Sequence, residues 1–210
     1  MRVTKEKAAE NRERILQAAA ALFREKGFEG VGVDALAAAA CLSHGSVYSH
    51  FGSKEALAAE AVAHALAQSL PQLGGGADGE TVPLATMVRR YLSRTHRDDP
   101  GGGCVIAALA AEGARQGEAV RAAFTEGVRR MLGGLAPAVP EDDATAREDA
   151  TIAVLATMIG ALILSRAVDD PALSDHILRA AGAHLLRDAP AEEVGTVPRV
   201  QSKMGSDGNP

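Results

Sequence analysis

The side chains best suited to chemistry crowd into one stretch, from Ser43 to Lys54. It holds Ser43, His44, Ser46, Tyr48, Ser49, His50, Ser53 and Lys54, spaced by Gly45 and Gly52. Hydroxyl, imidazole, phenol and ammonium groups at this density suit hydrogen bonding to a polar or anionic surface. They do not make an enzyme: nowhere is there a nucleophile motif, a phosphate-binding glycine loop or a spaced carboxylate pair. The runs Gly74–Gly76 and Gly101–Gly103 lack the flanking strand and Lys that a nucleotide loop needs. Cys41 and Cys104 lie far apart without metal-type spacing, and His96, His176 and His184 read as solvated. No metal and no cofactor are expected. Two reduced thiols in a cytoplasmic protein is the first reading of the cysteines, and redox sensing by Cys41 is a second.

The elements that position this stretch are helices. The chain has 210 residues, six aromatics and no Trp, and is rich in Ala, Leu, Gly and Val. Strong helix formers dominate and no strand-like run of useful length occurs, so the fold class is all-α. Ile15, Ala18, Ala19, Leu22 and Phe23 recur at helical spacing, with Gly27 as the stop and either Thr4 or Asn11 as the N-cap. A short helix follows from about Val33 to Ala40. Cys41-Leu42-Ser43 leaves room only for a tight turn, and Ser43 can cap a helix from His44 to about His50. Ser53 then caps a longer helix from Lys54 to about Leu70. Two short helices joined by a three-residue turn and braced by a third form a helix-turn-helix, with Leu36, Ala37, Ala40, Leu42, Val47 and Phe51 as its small core.

From Arg14 to Leu57 the chain resembles the tetracycline-repressor (TetR) family of bacterial regulators. The resemblance rests on Arg14-Ile15-Leu16, Ala18-Ala19, Leu22-Phe23, Gly27-Phe28, Val33 and Leu36-Ala37. It is strongest over Leu42-Ser43-His44-Gly45-Ser46-Val47-Tyr48 and His50-Phe51-Gly52-Ser53-Lys54-Glu55-Ala56-Leu57. It implies a homodimer on a double-stranded palindromic operator, usually a repressor released by a small-molecule effector. The helix from His44 would enter the major groove, with Gly45 allowing close backbone approach. Ser46, Ser49 and His50 would face the groove, His44 its edge, and His50 could equally brace the helix. Tyr48 and Lys54 look like the family's phosphate clamps, and Ser43 and Gly32 lie beside the DNA. This chain departs from the family in having Cys41 where Gly is usual, Val31-Gly32 where a hydroxyl N-cap is common, and His44 where Lys is frequent. With no Arg, Asn or Gln on the reading helix, recognition would lean on phosphate positioning and DNA shape.

The net charge is −5, yet residues 1–60 balance eight basic against eight acidic groups, so all the excess acid lies further on. A polyanion should prefer the N-terminal quarter. Further helices read at about 81–96, 103–114, 117–135, 143–168 and 172–187. The domains expected are a DNA-binding domain over 1–57, a ligand-binding and dimerisation domain over 58–187, and a flexible tail over 188–210. On the helix at 143–168, Ile152, Leu155, Ile159, Leu162 and Ile163 form an apolar face, matched by Ile177, Leu178, Ala181 and Leu185 on the next helix. These would build a four-helix dimer interface, or else be core of one chain. Met87, Tyr91, Phe124, Met131 and Met158 are candidate effector-lining residues because they are large and adaptable. Glu112 could orient a polar group of the effector or pair with Arg115. The N-terminus carries no signal-peptide pattern. The uncharged run Ala150–Ser165 falls short of a membrane span, so no membrane partner is expected. A protein-binding module, an activator or a ligand-free regulator stays open beside the repressor reading.

Overall fold

The computed structural model describes residues 4–73 and 82–187, with side chains as far as Ser69 in the first segment. The expected tail and the Gly74–Gly76 run lie outside the described residues. Among these, the chain forms α1 (Lys5–Lys26), α2 (Val33–Ala39), α3 (His44–Phe51), α4 (Lys54–Leu73) and α5 (Leu84–Tyr91). Then follow α6 (Arg94–Asp98), α7 (Val105–Gly113), α8 (Glu118–Leu135), a 3-10 turn (Ala136–Ala138), α9 (Ala144–Ala167) and α10 (Pro171–Leu185). The fold is all-α.

Caps explain most of these boundaries. Thr4, not Asn11, starts α1, its hydroxyl accepting the Lys7 N–H at 3.2 Å. Gly27 ends it at a φ of 76°, a conformation that glycine adopts without a steric penalty, and its N–H donates to the Phe23 carbonyl. The single helix expected at 81–96 is two. The Ser93 hydroxyl accepts the His96 N–H at 3.1 Å and so starts α6 afresh, a local bond that competes with continuing α5. Asp143 and Asp170 cap α9 and α10, the latter with Pro171 in the first turn.

The helix-turn-helix stands on a core of Ile15, Ala19, Phe23, Leu36, Val47, Phe51 and Leu57, all buried. α4 is common to both halves of the molecule: it packs on α1 and α3 and runs on against α8. The division expected after Leu57 therefore falls inside α4, which spans it as one rigid element. Ala58, Ala61 and Ala65 on α4 and the buried Gly127 on α8 let those helices approach closely. α9 and α10 pack as an antiparallel pair behind α7 and α8.

α9 is longer than the uncharged run from which no membrane span was expected. By length and composition it could cross a membrane, with a mean hydropathy of 1.8 in its most apolar window, 33% of which is buried. Its helix reaches beyond the uncharged run at both ends. A core helix passes the same test, and α9 buries Thr151, Leu155, Met158, Leu162 and Ser165 against its neighbours.

Candidate nucleic-acid interface and effector cavity

The reading corner is built from α2, its turn and α3. Backbone bonds from Cys41 N–H to Ala38 and from Leu42 N–H to Ala37 close the turn at 2.9 Å each. Cys41 takes a φ of 52°, a left-handed conformation in which a side chain costs about 1–2 kcal/mol. Arg14 of α1 reaches its carbonyl at 3.5 Å. Ser43 then caps α3: its hydroxyl accepts the Ser46 N–H at 3.3 Å and shares a 3.0 Å bond with the Ser46 hydroxyl. No hydroxyl caps α2, whose N-cap is Gly32.

Ser43, His44, Gly45, Tyr48 and Ser49 form an exposed face, with Gly32 also exposed and Ser46, His50 and Lys54 half-buried. Tyr48 is 45% exposed, although it is large and partly apolar. A Cβ at Gly45 or Gly32 would meet nothing within 4 Å, so packing within the chain does not demand glycine at either place. Ser49 donates to the Ser46 carbonyl at 2.9 Å, which leaves its oxygen free to accept but commits its proton. Ser53 accepts the Ala56 N–H at 3.0 Å and so sets Lys54 at the N-terminus of α4, where free N–H groups favour an anion.

Two contributors escaped the sequence reading. Asp34 of α2 bonds His44 Nδ1 at 2.5 Å, and the His44 ring lies 5.1 Å from that of Tyr48. Arg12 pairs with Glu60 and covers the Phe51 ring at 4.9 Å, tying α1 to α3 and α4. His50 lies beside Phe51 with ring centroids 6.3 Å apart, a bracing position. Only the Asp34 spacing, ten residues from His44, could have been noticed locally; Arg12 and Glu60 are 48 residues apart.

A cavity of about 380 Å³ opens where α5, α6 and the start of α7 meet. Its walls include Ser69, Arg90, Tyr91, Ser93, Thr95, His96, Asp99, Gly102, Gly103 and Cys104. Of the residues expected to line an effector site, Tyr91 is here. Met87, Met131 and Met158 are wholly buried in core, Phe124 packs against Gly113, and Glu112 points at α1. Glu112 accepts the Phe28 N–H at 2.9 Å. His96, expected in solvent, is half-buried because the Pro100–Gly103 turn folds back over it. Its Nδ1–H donates to the Tyr91 carbonyl at 2.7 Å, so Nε2 is free to accept the Cys104 N–H at 3.0 Å. That Pro-Gly break was legible as a boundary, but not as a cavity wall.

Burial, countered by the bond to Tyr91 and reinforced by nearby Arg166, lowers the His96 pKa below its ordinary 6.5. Burial, then the adjoining Cys104, raises the Tyr91 phenol well above 10. Arg166 holds the end of α6, donating to the Arg97 and His96 carbonyls at 2.9 and 2.7 Å. Arg97 in turn reaches Ser174 and Asp175 of α10. Among the described residues, the Tyr91 hydroxyl, Arg24 Nε and Arg166 Nη1 are buried without a hydrogen-bond partner. Buried donors rarely go unpaired, which marks this neighbourhood as one that could accept a guest.

Residues 15–61 match the family described as bacterial regulatory proteins of the tetR family. Residues 83–181 match the tetracyclin repressor-like C-terminal domain. A TetR transcriptional regulator from Chloroflexus aurantiacus is 31% identical, with a TM-score of 0.61 over 87% of this chain and 95% of that one. E. coli NemR in its reduced form has 24% identity and a TM-score of 0.69, covering 87% and 99% of the two chains. The HTH-type transcriptional repressor DhaR of Mycobacterium sp. (strain GP1) is 26% identical over 101 residues, 48% of this chain and 51% of its own length. The match thus spans about half of that repressor. The chain belongs to the TetR family of transcriptional regulators, whose members bind DNA.

Proposed function

We propose that this protein is a sequence-specific repressor that grips a palindromic operator as a homodimer and is released by a small-molecule effector. The observation that carries the reading is the exposed face of α3. A phenol, an imidazole, serine hydroxyls and an unobstructed glycine project from it, and the capped N-terminus of α4 stands alongside with Lys54. In this reading the DNA-binding unit is 1–57 and the remaining helices to 187 sense and dimerise, in the cytoplasm, where a bacterium keeps its DNA. The N-terminal part of α3 lies in the major groove, with Gly45 against the DNA. Tyr48 and Lys54 hold phosphates, and Ser43, Ser46 and Ser49 make single hydrogen bonds.

One short helix reads too few base pairs, so two copies are needed. The proposed interface uses the apolar surface that one chain leaves uncovered. Ile152, Ile163, Leu164 and Leu173 are 45%, 41%, 58% and 45% exposed, with Ile159, Ile177, Ala181 and Leu185 half-buried beside them. Leu155, Leu162 and Leu178 already serve the core of their own chain and would support this surface from behind. Gly160 has open space over its Cα and would let α9 approach its symmetry mate closely. The effector would occupy the cavity at Tyr91, His96 and Cys104 and offer an acceptor to the unpaired Tyr91 hydroxyl.

Selection from a random duplex library by the purified protein tests this. The expected product is a two-fold-symmetric sequence with half-sites one helical turn, about 34–36 Å, or a multiple apart. Enrichment of nothing at low salt would overturn the reading.

A further inference from the structure

Most polar side chains on the reading face are engaged within the chain. The Ser43 and Ser46 hydroxyls bond each other, Ser49 gives its proton to the Ser46 carbonyl, and His50 lies beside Phe51. His44 differs. Its Nδ1 is bonded to Asp34 at 2.5 Å, and its Nε2 has no partner among the described residues.

The partner dictates what that second nitrogen can do. An ionised carboxylate accepts hydrogen bonds and donates none, so the proton between them belongs to Nδ1. A neutral imidazole carries one N–H, which leaves Nε2 as a bare acceptor. The ring is held from two elements: Asp34 stands on α2, and the Tyr48 ring on α3 lies 5.1 Å away. Asp34 has no other bond among the described residues, and its side chain is 88% exposed. A carboxylate beside a polyanion weakens binding by its charge alone, so its place here argues for a compensating role.

We infer that Asp34 is a positioning residue that sets which base His44 reads: by holding the Nδ1 proton it presents Nε2 as an acceptor for an exocyclic amine. In the major groove these amines are N4 of cytosine and N6 of adenine, whereas guanine and thymine present only acceptors. The inference rests on the DNA-binding reading above. It gives each half-site one base-specific contact on a helix that has no Arg, Asn or Gln.

The test uses the full chain at pH 8, above the range in which a histidine ordinarily carries charge. The selected duplex is varied one base pair at a time, in both halves, and affinity is read by fluorescence anisotropy. The His44 position is the one where His44→Ala loses discrimination. There, N4-methylcytosine or N6-methyladenine replaces the groove-facing amine proton and should cost the wild type at least about 5-fold, the low end for one wrong contact. A 7-deazapurine in the same pair removes an acceptor that Nε2 does not use, and should change affinity by less than about 2-fold. In Asp34→Ala the cost of the methylated amine should fall to within about 2-fold, with affinity for an unrelated duplex equal or higher. Adding Asp34→Ala to His44→Ala should change nothing further at that position, because Asp34 acts through the ring.

The inference is overturned if His44→Ala loses discrimination at no position, or if the 7-deazapurine, not the methylated amine, costs affinity. It is equally overturned if Asp34→Ala keeps the wild-type pattern. It also fails if Asp34→Ala weakens every duplex alike, which would make Asp34 a support of α2 through the charge in its first turn. A wild type that selects no duplex overturns the DNA-binding reading, and this inference with it.

Discussion

At the scale of single residues, the reading corner trades stability for geometry. Cys41 occupies a left-handed conformation that its Cβ disfavours. Cys41→Gly should stabilise the protein by about 0.5–1 kcal/mol, glycine's greater freedom in the unfolded chain offsetting part of the relief. For a chain of this size that is a rise of about 2–3 °C in melting temperature, read by calorimetry. Lys54 is argued to act as a point charge on a phosphate, so Lys54→Ala should weaken all duplexes alike. It should also lower the slope of log affinity against log salt by about one. A loss confined to one sequence would reassign Lys54 to base reading. The caps Ser43 and Ser53, and the turn at Cys41, were legible because each bond closes within a few residues. Asp34, ten residues from His44, lay within local reach but was overlooked; Arg12 over Phe51 and Glu112 under Phe28 were not legible, because only folding brings them together.

Helices carry the second set of consequences. The stripe read on α9 was a sound pattern but mixed two surfaces: a helix apolar all round does not announce which side faces its own chain. Leu155 and Leu162 turn inward, Ile152 and Ile163 outward. Ile163→Lys should therefore convert the proposed dimer to monomer in sedimentation while leaving the helical content intact, because it places a charge where little intrachain packing is lost. Leu162→Lys should unfold the protein instead. Between α6 and α7, His96 is neutral when it accepts the Cys104 N–H, and its folded pKa lies below its unfolded value. The unfolded chain therefore binds the proton more readily. The stabilisation is whole above about pH 6.5 and is lost as the pH falls from there toward the folded pKa. Arg166 opposes protonation and Asp99 favours it. Melting temperatures at pH 7.5 and 5.5 should differ more for wild type than for His96→Gln. An equal difference would place the acid sensitivity elsewhere.

Over the whole molecule, the all-α class and the helix-turn-helix followed from composition, periodicity and one short turn. The cavity did not. Met87, Phe124, Met131 and Met158, read from the sequence as candidate effector-lining residues, pack within the fold and not on this cavity, because size and adaptability suit a core as well as a pocket. What lines the cavity is a polar break in the chain, Ser93 to Cys104, whose folding back over His96 no local pattern specifies. The central claim is that two copies of α3 read two halves of one symmetric duplex. Its most direct test is a titration of the selected duplex, by fluorescence anisotropy, against the same duplex with one half scrambled. Two chains should bind the intact duplex, and scrambling one half should cost at least about 100-fold in affinity. Equal affinity for the intact, half-scrambled and unrelated duplexes would contradict the account.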